Sequence, residues 1–216
     1  MSVPFEIDHL FVMTSQGAPL ADTLVEAGLT EGTSRTHPGQ GTSNRRFFFE
    51  NAMLEFLWIH DPVEAGSKPI RPTYLLERWN RRDSGTSPFG LCFRPVDDTV
   101  ETPPFPAWDY EPPYLPPEFD IKVAENAPDL NEPFLFFLPW GHPPEDPPHH
   151  DAGLHELTEV TVHSPAVTSV SDSLRAVSQL IHFAEAERHH LTLVFDDGTQ
   201  DEMLDLPSAE PLTIRY

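Results

Sequence analysis

Glu55 is the residue whose surroundings most directly suggest chemistry. It lies inside the run MLEFLW (53–58), whose five remaining side chains are all apolar, so both faces of this strand are expected to be buried. A bare carboxylate in such surroundings costs several kcal/mol, and it therefore needs a partner or a polar cavity. One candidate partner is a divalent metal (Zn, Ni, Mn or Fe) shared with His9, because imidazole and carboxylate suit these ions. The other is a buried ion pair with Arg45 or Arg46 on the preceding strand.

The segment HPGQGTSN (37–44) brings several hydrogen-bonding side chains together in one short span. Its two glycines allow a sharp turn or a close approach of the backbone to a ligand. Two interpretations stay open. The loop lines the mouth of a cleft and fixes a polar substrate, or it is a β-turn whose Thr and Asn side chains bond their own backbone. It is not a phosphate loop, because it lacks the Lys-Ser/Thr ending and no helix follows.

Four further histidines could bind a metal, whereas the one cysteine lies in an apolar run. His142, His149, His150 and His155 lie in proline-rich sequence without helix or strand spacing to make their rings converge, so a solvated loop is favoured. Cys92, in the apolar run GLCF, is expected to be a buried thiol that packs as a small hydrophobe. As the sole cysteine it excludes an intrachain disulfide and a Cys-rich zinc module. The signatures of dinucleotide binding and of acyl transfer are not found.

The composition indicates a globular, acidic chain. It has 216 residues, 38% of them hydrophobic, with 13 Lys and Arg against 35 Asp and Glu and a net charge of −22. Nucleic acids and anionic membranes need a basic footprint, so neither is an expected partner. No apolar run reaches the roughly 18 residues of a membrane span, and the N-terminal residues do not resemble a secretory signal. We therefore expect a cytoplasmic protein that binds a small molecule; a homodimer stays open.

Strand and helix signals follow the same order at the two ends of the chain. A strand (7–12), a helix (18–29) and three strands ending at 52–59 come first; a strand (154–164), a helix (169–181) and further strands come last. Most of the 25 prolines lie between, in residues 95–148. There FDIKVA (119–124) and PFLFFLPW (133–140) are the two predicted strands. The predicted division is a first module over 1–98, a proline-rich connection with two strands over 99–150, and a second module over 151–216.

Three local features carry a family resemblance: IDH (7–9), the HPGQGTSN loop, and MLEFLWIHDP (53–62). With these, the sequence resembles the glyoxalase-like domain group of the glyoxalase/bleomycin-resistance/extradiol-dioxygenase superfamily, also called vicinal oxygen chelate. FGLCFRPVDD and PFLFFLPW look like that group's second-half strands. The resemblance implies an α+β fold in which paired βαβββ modules form curved, mixed or antiparallel sheets around a cleft.

The resemblance also implies where the site lies. It puts His9 and Glu55 at the superfamily's first-strand and fourth-strand metal-ligand positions. The matching second-half positions lack ligands, since Leu91 corresponds to His9 and PFLFFLPW has no carboxylate; Glu159 is a candidate third ligand. A metal-free site is therefore favoured. The expected catalytic residues are His9, Glu55 and His37, and the expected substrate-binding residues are Gln40, Thr42, Asn44, Arg46 and Trp58.

The implied activity is that of a glyoxalase-like small-molecule enzyme of the lyase, isomerase or dioxygenase type. Glu55 or His37 would be the general base in a metal-free site. The alternative is a non-catalytic protein of the bleomycin-resistance type that sequesters a small molecule, and the acidic surface favours a cationic guest for it.

Overall fold

The computed structural model describes residues 3–97, 99–165 and 170–216. The elements up to residue 80 are β1 (Phe5–Met13), α1 (Leu20–Glu26), β2 (Arg35–His37), β3 (Thr42–Phe48), β4 (Met53–Ile59), α2 (Pro62–Ala65) and α3 (Leu75–Asn80). Next come β5 (Phe89–Pro95), β6 (Ala107–Tyr110), β7 (Ile121–Ala124) and β8 (Phe134–Phe137). The last are β9 (Leu157–Ser164), α4 (Asp172–Ala176), β10 (Ile181–Glu185), β11 (His190–Phe195) and β12 (Leu212–Arg215).

One sheet of eight strands carries most of the architecture. Its order is β2-β3-β4-β1-β5-β8-β7-β6. Strand β1 runs parallel to β4, β5 runs parallel to β8, and β1 meets β5 antiparallel at the centre. The sheet therefore consists of two halves with the same strand order, joined through their first strands. This is the predicted α+β fold of paired modules.

The proline-rich segment supplies most of the second half of this sheet. Both strands predicted within it are confirmed as β7 and β8, and β6 is a third that the sequence did not predict. Where the first half has α1 after its first strand, residues 99–106 lead to β6 without a helix. The division of the chain at residues 98 and 150 stays a prediction, but strand pairing puts β5, β6, β7 and β8 in one half-sheet.

The C-terminal residues form a separate sheet of order β10-β9-β11-β12. The predicted strand 154–164 and the helix after it are found there as β9 and α4, and β11 and β12 follow, but β10 was not predicted. The pairing of this sheet differs from that of the first half, because β9 lies between β10 and β11 while β1 pairs with the last strand of its unit. The predicted helix 169–181 is shorter, with Ser171 as its N-cap; residue 169 lies outside the described residues.

The two faces of the large sheet have different roles because successive side chains on a strand point to opposite faces. Leu10, Leu54 and Phe56 point to the face that packs on α1 and the small sheet in one continuous apolar core. Phe11 and Leu57 point to the other face, where a second apolar cluster includes Phe136. This second face holds the cavity described next. Among the described residues, no helix is long and apolar enough to cross a membrane.

Candidate functional site

A cavity of about 260 Å³ lies on the second face of the large sheet and is lined by both halves. The first half contributes Asp8, His9, Phe11, Arg35, His37, Gln40, Asn44, Arg46, Phe48, Met53, Glu55 and Leu57. The second half and its loops contribute Tyr110, Tyr114, Leu115, Ile121, Val123, Phe134, Phe136, Leu138, Trp140, His142 and Pro144. One wall is thus rich in polar side chains and the other is largely apolar.

His9 and Glu55 meet at the polar wall. They lie on neighbouring parallel strands, β1 and β4, on the face that looks into the cavity. His9 Nε2 is 3.8 Å from Glu55 Oε2, and both side chains are buried. This distance is longer than a hydrogen bond, so the two groups do not bond to each other and both can bind a ligand.

His9 is oriented by the residue before it. Its Nδ1 is 2.5 Å from Asp8 Oδ1, and Arg94 Nη1 is 3.4 Å from Asp8 Oδ2. A register shift between Ile7 and His9 in the β1–β5 pairing lets both Asp8 and His9 reach the cavity, as a β-bulge does when it redirects a side chain. Burial alone would raise the pKa of Asp8, but the hydrogen bond with His9 and the Arg94 charge hold it below its usual value. The ionised Asp8 therefore accepts from Nδ1 of His9 and leaves Nε2 facing Glu55.

Glu55 is held by an amide and not by an arginine. Asn44 Nδ2 donates to Glu55 Oε1 at 2.6 Å. The two candidate ion-pair partners bind elsewhere: Arg45 pairs with Glu31 at 2.6 Å, and Arg46 donates to the Thr33 carbonyl. The buried carboxylate thus keeps one oxygen directed at the cavity.

The HPGQGTSN segment is a hairpin turn between β2 and β3 whose side chains also line the cavity. Gly39 and Gly41 have φ of +81° and +77°, and a Cβ on Gly41 would lie 2.2 Å from the Asp61 carbonyl oxygen. Glycine is required where φ is positive and the backbone is this crowded. His37, Gln40 and Asn44 line the cavity. The segment is therefore a sharp turn beside the cavity, in which Asn44 accepts from the backbone of Arg35 while Thr42 bonds the side chains of His37 and Gln40. Its role in fixing a substrate stays a prediction.

A chain of hydrogen bonds fixes His37. Tyr110 donates to Gln40 Oε1 at 2.7 Å, and Gln40 Nε2 donates to Thr42 Oγ1 at 2.7 Å. The hydroxyl hydrogen of Thr42 is then available to His37 Nδ1, also 2.7 Å away. Burial, partly offset by the Glu55 charge, lowers the pKa of His37 to about 4. A neutral His37 that accepts at Nδ1 carries its hydrogen on Nε2 and can donate to a ligand.

Two of the predicted substrate-binding residues do not line the cavity. Thr42 is fully buried and acts through His37 and Gln40. Trp58 points to the opposite face of β4 and packs against the core beneath the sheet, because the period-two alternation that aims Glu55 at the cavity aims Trp58 away from it.

Several residues of the site were not predicted from the sequence. Asp8 adjoins His9 in the IDH motif, and its position beside a candidate site residue could have indicated it. Tyr110 and Tyr114 lie in the proline-rich segment, where no local pattern marks them; the Tyr114 ring centroid is 4.5 Å from that of His37. His142, predicted to be in a solvated loop, is exposed and yet lines the cavity.

The donor set does not fit a catalytic metal. Cys92 lies opposite His9 in the β1–β5 pairing, and Leu91, the expected second-half counterpart of His9, pairs with Leu10 on the core face. Asp8, His9 and Cys92 are the one group in the described part of the chain whose ligand atoms lie within 4.8 Å of one another. Asp8 is already bound to Arg94, and burial raises the pKa of Cys92 well above its usual value, so its thiol stays protonated. A thiol must be deprotonated to bind a metal.

The candidate third ligands also fail this test. Glu159 is exposed on β9 of the small sheet and does not line the cavity. The cavity-facing positions of β8 are Phe134 and Phe136, which have no donor atoms. Catalytic metal sites usually have three protein ligands, and this set leaves His9 and Glu55 alone.

Two equivalent half-sheets that share one cavity place the chain in the vicinal oxygen chelate superfamily. Residues 7–178 match the model of the glyoxalase-like domain family, and the chain belongs to this family. No curated protein matches the sequence significantly.

Solved structures with the same fold are distant in sequence. A hypothetical protein from Staphylococcus aureus superposes with a TM-score of 0.54 at 8% identity, over 98% of each chain. A xylose isomerase-like TIM barrel/4-hydroxyphenylpyruvate dioxygenase fusion protein gives a TM-score of 0.50 at 12% identity, over 91% of this chain and 37% of that one. At these identities the likeness concerns the fold alone.

Proposed function

We propose that the protein is a metal-independent enzyme of the isomerase or lyase type that moves a proton next to a carbonyl group of a small molecule. The observation that supports this most is the separation of 3.8 Å between His9 Nε2 and Glu55 Oε2 at the polar wall of a cavity whose opposite wall is largely apolar. Since the donor set does not suit a metal, the proposal is confined to acid–base chemistry. Such catalysis contributes about 10²–10⁴-fold to a rate.

The proposed roles follow from what holds each group. Glu55, anchored by Asn44 at one oxygen, accepts the proton from the carbon beside the carbonyl with the other. His9 binds Asp8 through Nδ1–H and, when it also carries a proton on Nε2, donates that proton to the carbonyl oxygen. The product of this step is a neutral enol, which is an enediol where the deprotonated carbon carries a hydroxyl group. Glu55 then returns its proton to the former carbonyl carbon while His9 takes the proton of the other hydroxyl group, which completes an isomerisation. His37 Nε2 donates a hydrogen bond to the substrate and takes no proton, because its low pKa makes it a weak base.

Deuterium exchange tests this chemistry without knowledge of the natural substrate. A panel of enolisable aryl carbonyl compounds, such as 2-hydroxyacetophenone and phenylacetaldehyde, is incubated with the protein in D₂O and followed by proton NMR. We expect exchange at the carbon beside the carbonyl, reduced by about 10²-fold or more in His9→Gln and in Glu55→Gln. Glu50→Gln is the matched control, because Glu50 is exposed and outside the cavity. Exchange that both site variants leave unchanged contradicts the proposal, as does the absence of exchange across the panel.

The same cavity supports binding without chemistry as the second candidate. The second-half wall contributes no carboxylate or ammonium group to the lining, which suits retention of an apolar body. Ligand binding that quenches tryptophan fluorescence, with no deuterium exchange of the same ligand, would assign the protein to this sequestering class.

A further inference from the structure

Two arginines at the cavity have no acidic partner. Arg35 on β2 and Arg46 on β3 both line it, on strands that pair directly. Arg46 donates Nε and Nη2 to the Thr33 carbonyl and lies over the Phe48 ring, 4.9 Å from its centroid. Within the described residues, neither guanidinium forms an ion pair, and Arg46 Nη1 is free of hydrogen bonds.

Among the described residues, Arg45, Arg82, Arg94 and Arg175 form ion pairs and the other arginines do not. Arg35 and Arg46 differ from the other unpaired arginines because they line the cavity together. On the same sheet, Arg45 pairs with Asp22 and Glu31, and Arg94 pairs with Glu6 and Asp8. Burial and the nearby Arg35 charge both lower the pKa of Arg46, and Glu55 offsets this only in part. The repulsion between the two guanidinium groups is therefore relieved best by an anion from outside the protein.

The opposite wall defines the rest of the ligand. It includes Ile121, Val123, Phe134, Phe136 and Leu138, whose apolar side chains suit an uncharged part of the ligand. The volume of about 260 Å³ is below the 300–1,000 Å³ typical of sites for drug-sized ligands, so the body is small.

We infer that the natural ligand is a small acid with an aromatic or branched apolar body, whose carboxylate binds Arg35 and Arg46 while the body lies against the second-half wall. This deepens the proposed function by naming the substrate class of its site, and so rests on that function's cavity. Guanidinium matches a carboxylate through two parallel hydrogen bonds.

A matched ligand series tests the inference by binding alone. Isothermal titration compares 3-phenylpropionate with its neutral isostere 3-phenylpropanamide and with the cation 3-phenylpropylamine. We expect the acid to bind at least about tenfold more tightly than the amide, because charge-assisted hydrogen bonds are about twice as strong as neutral ones. The amine is expected to bind most weakly.

Variants separate the arginine contribution from packing. In Arg35→Gln/Arg46→Gln the preference for the acid disappears while amide binding is kept; Arg215→Gln, an exposed position on the small sheet, serves as the control. The single variant Arg46→Lys keeps both positive charges and should therefore retain part of the preference for the acid that the double variant loses. Circular dichroism verifies that each variant is folded. An amide that binds as tightly as the acid, no binding of either, or a preference that survives the double substitution overturns the inference.

The outcome is independent of the catalytic proposal. Deuterium exchange uses neutral carbonyl compounds and the His9 and Glu55 variants, whereas the ligand series uses unreactive compounds and the arginine variants. A preference for the acid without exchange leaves this inference standing and removes only the catalytic proposal. Deuterium exchange without a preference for the acid removes this inference and leaves the catalytic proposal standing.

Discussion

His37 makes the folded protein sensitive to mild acid. Its side chain is 7% exposed and contacts Thr42 and the Tyr114 ring. Burial lowers its pKa from 6.5 to about 4, against a smaller opposite effect of Glu55. Between these two values the unfolded chain binds a proton that the folded protein does not. Stability from this residue is therefore complete above about pH 6.5 and is lost as the pH falls toward about 4.

The size of the effect follows from the two pKa values. At about 1.4 kcal/mol for each tenfold change in proton affinity, the whole difference corresponds to about 3 kcal/mol. The part lost between about pH 7.5 and about pH 5 is about 2 kcal/mol. The lower pH is kept above the sequence pI of about 4.6, where a net charge near zero promotes precipitation.

Urea unfolding followed by tryptophan fluorescence at the two pH values measures this loss. In His37→Gln, which cannot titrate, we expect the loss of unfolding free energy to be smaller than in the wild type by about 2 kcal/mol. His149→Gln is the matched control, because that side chain is 76% exposed, and it should behave like the wild type. A His37→Gln protein with the wild-type pH dependence would refute the reasoning.

Three further perturbations test the surroundings of His9. Asp8→Asn should lower the free energy of unfolding by about 2–3 kcal/mol, because the buried Arg94 loses a carboxylate partner. Glu6→Gln should lower it by less than about 1 kcal/mol, because the Glu6 side chain is half-exposed. Equal losses of the two variants in urea unfolding would contradict this. Gly141→Ala should cost about 1–3 kcal/mol by overpacking, since its Cβ would lie 2.8 Å from Asp8 Oδ2 and from Arg94 Cβ, and an unchanged melting temperature would show that the site can expand. Cys92 should react with a thiol reagent only after denaturation, because it is fully buried and its pKa is raised; rapid labelling of the native protein would show that the thiol is accessible.

Much of the local structure could be predicted because it depends on neighbouring residues. The apolar surroundings of Glu55 predicted a buried carboxylate in need of a partner, and the structure buries it beside Asn44 and His9. The two glycines of the 37–44 loop predicted a sharp turn, and both have positive φ in the structure. The family resemblance added the pairing of His9 with Glu55, which no spacing along the chain could have indicated.

The contacts that were not predicted are those between distant segments. Cys92 lies opposite His9 because one extra residue in β1 shifts the register of its pairing with β5. Strand pairing also adds β6, β7 and β8, which lie in the proline-rich segment, to the large sheet.

The strands β1, β3 and β4, the helix after β1 and the need of Glu55 for a partner could be predicted from the sequence alone. Only the tertiary structure decided which side chains share a cavity. The reason is that a strand presents alternate residues to opposite faces, so a shift of one residue in pairing exchanges the faces. That pairing is set by burial against segments many residues away, and these segments also supply the apolar wall and leave Arg35 and Arg46 without acidic partners.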